Sequence, residues 1–185
     1  MNPTALNLPA VSPLPDDTQA YFDLCQDKLG MVPNVLRAYA HNIDKLNAFA
    51  AMYNDLMLAP SGLSKLEREM IAVVVSAVNR CHYCLVAHGA AVRALGSPEL
   101  GEALVTNYRV ADITPRQRAM LDFAVAMSEA SARIKEADRQ LLRDQGFTDA
   151  DIFDIAAVAS FYNMTNRMAS AIDMRPNPEY HSQSR

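Results

Sequence analysis

The 185-residue chain has no tryptophan, six glycines and three cysteines. An odd cysteine count excludes a fully paired disulfide framework. Lys and Arg number 17 against 21 Asp and Glu, and they are scattered. The formal net charge of -4 therefore provides no basic field for nucleic acid and no polybasic patch for a membrane surface. The apolar run Ile71 to Val75 is far too short to span a bilayer. The opening residues Met-Asn-Pro-Thr-Ala-Leu lack the charged and apolar regions of a secretory leader, so cytoplasm is the expected compartment. In a reducing compartment, two close cysteines point to catalysis or metal binding before structure.

What is present favours a helical globular domain. Half of the residues are hydrophobic, which argues against disorder, and Ala, Met and Leu favour helix over strand. Pro3, Pro9, Pro13 and Pro15 mark residues 1–15 as an extended arm without its own core. Leu6, Leu8 and Val11 are candidates to dock it onto the domain or onto a neighbouring subunit. Residues 16–185 then read as a single all-α domain with no sheet. Asp16 or Asp17 and Gly30 bound a first helix, and Pro33 opens a short second one. Asn42 caps a third, which Pro60 and Gly62 close. Ser64 and Glu67 form a capping box for a helix to about Val78, which Asn79 and Arg80 interrupt. The next helix runs from about Cys81 to Leu95, and Pro98 begins another. Thr114, Pro115 and Gln117 repeat the capping pattern ahead of the stripe Met120, Leu121, Phe123, Ala124 and Met127. Further helices are expected from Glu136 towards Gly146 and from Thr148 to about Ile172, before Pro176 and Pro178 break the pattern. Residues 64–70 and 114–120 echo each other at a spacing of 50. At that offset Cys81, Cys84 and His88 fall on Ser131, Ile134 and Asp138.

Chemistry concentrates at C-H-Y-C-L-V-A-H, from Cys81 to His88. On one helix Cys81, Cys84 and His88 share neighbouring turns of one face. A C-x-x-C pair at a helix start can close a disulfide, and the helix N-terminus favours thiolate. His88, one turn from Cys84, can exchange a proton with it, the nucleophile-and-base pattern of thiolate chemistry. Two alternatives stay open at this point. The cysteines can be small buried hydrophobes. C-x2-C-x3-H can also supply three metal ligands, although no fourth ligand lies at comparable spacing. Glu69, twelve residues before Cys81, reads from spacing alone as a surface carboxylate beside Lys65 or Arg68. Cys25 reads as core. Asn163, Asn166 and Arg167 read as a solvated or inter-subunit face.

The run Glu69-x11-Cys81-x-x-Cys84-x3-His88 resembles the signature of the AhpD-like alkyl hydroperoxidases of the carboxymuconolactone decarboxylase superfamily. L-G-M-V-P-N from Leu29, S-G-L-S-K-L-E-R-E from Ser61 and F-Y-N-M-T-N-R from Phe161 resemble its peroxidase-related branch, so the similarity covers residues 16–180. The resemblance implies an all-α homo-oligomer (dimer, trimer or hexamer) that reduces alkyl hydroperoxides. It implies that Cys84 attacks the peroxide, that Cys81 resolves it and donates a proton, and that Glu69 and His88 relay protons. The partners it implies are a small peroxide and an external dithiol or disulfide-reductase donor. No cofactor, metal, nucleic acid or membrane is expected. Family members tend to carry His immediately before the second Cys. Here that place holds Tyr83, a poorer base near neutral pH, and His82 lies one residue earlier. The C-x-x-C pair counts against a lactone-acid decarboxylase, which does not need it. A redox-sensing or binding module could use the same disulfide without turnover.

Overall fold

Helix ends fall on residues that satisfy the unpaired backbone groups of a helix terminus. The computed structural model describes residues 2–185, with ten α-helices and no strand among them. They are α1 (Asp16–Leu29), α2 (Asn34–Tyr39), α3 (Ile43–Leu58), α4 (Lys65–Val78), α5 (His82–Leu95), α6 (Pro98–Asn107), α7 (Pro115–Ala130), α8 (Glu136–Asp144), α9 (Asp149–Ala171) and α10 (Glu179–Ser182). The capping boxes expected at Ser64 and Thr114 both form. A third joins Thr148 to Asp151 at the start of α9. Gly30 (φ 72°) and Gly146 (φ 82°) take the left-handed conformation that ends a helix.

Helix α4 is the axis of the fold. Every residue from Glu67 to Ser76 is buried, because α3, α5, α6, α7 and α9 all pack against it. A helix apolar on every side belongs in a core. Ile71 and Val74 meet Met120 and Leu121 of α7 and Ile155 of α9 in one cluster. Burying each such side chain contributes about 1.5–3 kcal/mol. A smaller cluster joins Phe22 and Cys25 of α1 to Leu36 of α2 and Leu46 of α3. A third gathers Cys81, Cys84, Tyr83 and Ala87 against Ala169 and Met174.

Two segments depart from expectation. The helical pattern does not end at Ile172, because Pro178 starts one further turn, α10. Asn177 holds that segment down. It accepts from the Asn34 N–H at 2.7 Å and donates to the Val32 carbonyl at 3.0 Å. Arg93 of α5 also donates to the carbonyls of Tyr180 and Gln183. The N-terminal arm is tethered by backbone hydrogen bonds and by Leu14, which packs against the α1–α3 cluster, not by the three apolar side chains expected to dock it. Ala5 N–H donates to the Ile172 carbonyl and Val11 N–H to the Ala40 carbonyl, while Leu6, Leu8 and Val11 stay exposed. Among the described residues no helix is long and apolar enough to cross a membrane.

Candidate functional site

The turn between α4 and α5 builds the site. Arg80 N–H donates to the Ala77 carbonyl at 3.2 Å and Cys81 N–H to the Ser76 carbonyl at 3.0 Å, a Schellman closure of α4. Its left-handed position falls on Arg80 (φ 53°), where a side chain costs about 1 kcal/mol that glycine avoids. The turn makes Cys81 the N-cap of α5 and leaves Cys84 in the first helical turn. Both thiols are free and buried.

Cys84 forms part of the wall of a cavity of about 370 Å³, whereas Cys81 lies behind it and does not reach that wall. Glu69 and His88 are on the same wall. The carboxylate Oε2 of Glu69 lies 2.6 Å from Nδ1 of His88, with both side chains largely enclosed. Glu69 is thus an inward residue bridging α4 to α5, and the surface pairing with Lys65 or Arg68 does not occur. A carboxylate at Nδ1 assigns the proton to that nitrogen and leaves Nε2 able to accept one. Among the described residues no group of three or more His, Cys, Asp or Glu side chains converges as metal ligands.

The thiols share a proton unequally. Cys84 donates towards the Cys81 sulfur, and this holds the Cys81 thiol down to about 6 against burial. The Cys84 backbone N–H, the Ser170 hydroxyl and the His88 charge act in the same direction. Being the donor pushes Cys84 up, and burial adds to it, while Asn166 and Ser76 pull the other way. Of the two, Cys81 is therefore the thiol that ionises more readily.

Several residues at this site were hidden in the sequence. Asn166 is fully buried, not solvated. It donates to the Ser76 hydroxyl and accepts from Asn79, each at 3.0 Å, in a polar layer beneath Cys84. Asn163, bonded to Asn79 and to Ser128, extends this layer outward to Arg167. Cys25 packs in the α1–α3 cluster and also lines the cavity. Tyr83, which stands where the family tends to carry His, accepts from the Val35 N–H at 3.1 Å, so it pins the first turn of α2 over the cavity. Six of the seven tyrosines line this one cavity: Tyr21, Tyr39, Tyr53, Tyr83, Tyr162 and Tyr180. They come from six helices, which no local pattern could have collected.

The family model described as the carboxymuconolactone decarboxylase family matches residues 44–104, the span that holds Glu69, Cys81, Cys84 and His88. A crystal structure of an uncharacterized peroxidase-related protein from Silicibacter sp. TM1040 is 69% identical, with a TM-score of 0.97 over 100% of this chain and 97% of that one. An AhpD-core peroxidase-related protein from Ralstonia eutropha JMP134 is 47% identical, with a TM-score of 0.95 over 99% of this chain and 97% of that one. The debrominase Bmp8, crystallised with a tribromopyrrole, shares the fold at 19% identity and a TM-score of 0.78 over 97% of each chain. No curated protein matches the sequence.

Proposed function

The chain belongs to the AhpD-like group of the carboxymuconolactone decarboxylase superfamily, and from that premise we propose that it reduces organic hydroperoxides through Cys84 and Cys81. One observation carries the reading: Cys84 meets a largely apolar cavity beside the Glu69–His88 pair, with Cys81 directly behind it. The wall accommodates the organic group of a hydroperoxide.

The Cys84 thiolate attacks the terminal oxygen of ROOH. An S–O bond forms, the O–O bond breaks, and RO⁻ takes up the proton that left Cys84. The products are ROH and a Cys84 sulfenic acid. The Cys81 thiolate then attacks the Cys84 sulfur, the S–S bond forms, and hydroxide leaves as water with one proton. An external dithiol resets the pair by exchange and is itself oxidised to a disulfide. Glu69 orients the His88 imidazole, which holds the proton in transit. The protein works in the cytoplasm as a homo-oligomer. Large side chains such as Phe153 and Leu141, exposed at 72% and 60%, support the assembly.

The test is peroxide consumption with a small dithiol, combined with sulfenate trapping by a dimedone-type probe. Wild type turns over. Cys84→Ser traps nothing and consumes nothing, and Cys81→Ser traps a sulfenate on Cys84 but stops after one turnover. Oxidation to a Cys81–Cys84 disulfide without sustained consumption makes the pair a redox switch and refutes the enzyme reading.

A further inference from the structure

Tyr162 of α9 stands out among the cavity tyrosines. It is 2% exposed, and its hydroxyl is sealed from water with no hydrogen-bond partner among the described residues. Its ring meets the His88 ring edge-on, with centroids 4.7 Å apart. It lines the same cavity as Glu69, Tyr53, Cys84 and Tyr83. A buried hydroxyl left unbonded costs stability that phenylalanine of the same shape would not. Tyr162 helps to form the cavity wall, so this donor is available to a molecule bound there.

We propose that the Tyr162 hydroxyl binds the oxygen of the hydroperoxide that carries the organic group, and stabilises it as the alkoxide leaves. The inference rests on the peroxidase reading of Cys84. As sulfur bonds to the terminal oxygen and the O–O bond breaks, negative charge grows on the other oxygen. A donor on that oxygen is strongest in the transition state, where it lowers the barrier. Burial, and after it the charge of Glu69, holds the phenol well above its ordinary pKa, so it stays protonated and acts as donor, not base. The proton that finally neutralises RO⁻ is still the one released by Cys84, and the balance of the reaction is unchanged. Hydrogen bonds of this kind are commonly long in a ligand-free site and close around the substrate.

Tyr162→Phe separates this role from packing. The variant should unfold at the wild-type temperature or above it, because no protein hydrogen bond is lost. Sulfenate formation on Cys84 should slow by roughly 10–10³-fold, the scale of a lost oxyanion donor. The slowing should be greater for tert-butyl hydroperoxide, whose alkoxide is a poor leaving group, than for a peroxy acid. In a Cys84→Ser background, 2-phenyl-2-propanol should bind about tenfold more weakly when Tyr162 is also Phe. Equal slowing for every peroxide together with a lower unfolding temperature would make Tyr162 a packing residue and overturn the proposal. Wild-type rates in Tyr162→Phe would do the same. If wild type forms no sulfenate, the peroxidase reading fails, and alcohol binding still decides whether Tyr162 holds a ligand oxygen.

Discussion

Helices α4 and α7 open alike and end differently. Each begins with a capping box, Ser64 with Glu67 and Thr114 with Gln117, and Arg116 of α7 bonds to Glu67 of α4. They pack side by side in one apolar cluster. After α4 the Schellman turn throws Cys81, Cys84 and His88 onto α5. After α7 the chain drops into a 3₁₀ turn, Ser131–Arg133, and then into exposed α8. Asp138, fifty residues after His88, caps α8 by accepting from the Lys135 N–H at 2.7 Å. The same opening thus leads to the candidate site once and to scaffold once. A cap decides where a helix begins, and the turn at its far end decides what it presents.

The largest effects should come from breaking the α4 side of this comparison. Glu69→Gln or His88→Ala should slow single-turnover sulfenate formation by roughly 10²–10⁴, the scale of lost acid–base assistance. Glu67→Gln, half a turn earlier on α4, removes the bond to Arg116 and should lower stability while leaving that rate intact. Stopped-flow trapping and urea unfolding of the three variants decide the matter. Equal slowing in Glu67→Gln would erase the distinction between a site face and a scaffold face of α4.

The α7 side should answer in stability alone. Leu121 is fully buried against α4 and α9 and is remote from the cavity wall. Leu121→Ala should cost about 2–5 kcal/mol, through lost transfer energy and the cavity left behind. Urea unfolding reads the loss, and the rate per folded molecule should match wild type. A large rate defect in a protein that remains folded would show that α7 shapes the site through α4.

Much of this was legible from local signals. Ser64, Thr114, Thr148, Gly30 and Gly146 act at short range, and each ends or begins a helix where its chemistry demands. The spacing of Cys81, Cys84 and His88 also survives folding, because one helix carries all three. Glu69 was ambiguous by spacing, since its partner lies on another helix, and only the family resemblance pointed it inward. Asn166 and Tyr162 were illegible for a different reason. Helix α9 is apolar or small on most sides, so its periodicity does not say which polar residue is enclosed. Tyr180 reaches the cavity only because Asn177 and Arg93 hold the C-terminal segment, at sequence separations of 143 and 87 residues. Contacts of that range leave no periodic trace.

The last prediction sharpens the contrast at the far end of α4, where the two thiols divide one proton. With Cys81 held near 6 by the donating Cys84 thiol, the pair carries one negative charge above that pH. The ionised form is the reactive one, so sulfenate formation should rise with pH through about 6 and level off above it, and should be lost as pH falls below 6. At pH 7 an ordinary thiol with a pKa of 9.0 would be roughly a hundredfold less ionised than this pair. Cys81→Ser removes the acceptor and leaves Cys84 alone in a buried site. Its single sulfenate should then form with an inflection moved upward, into or above the ordinary thiol range, because burial disfavours the charged form. Initial trapping rates across pH 5–10 measure both curves. An unchanged inflection in Cys81→Ser would place the ionisation on another group, with His88 the first to test, and would deny Cys81 its part in activating Cys84.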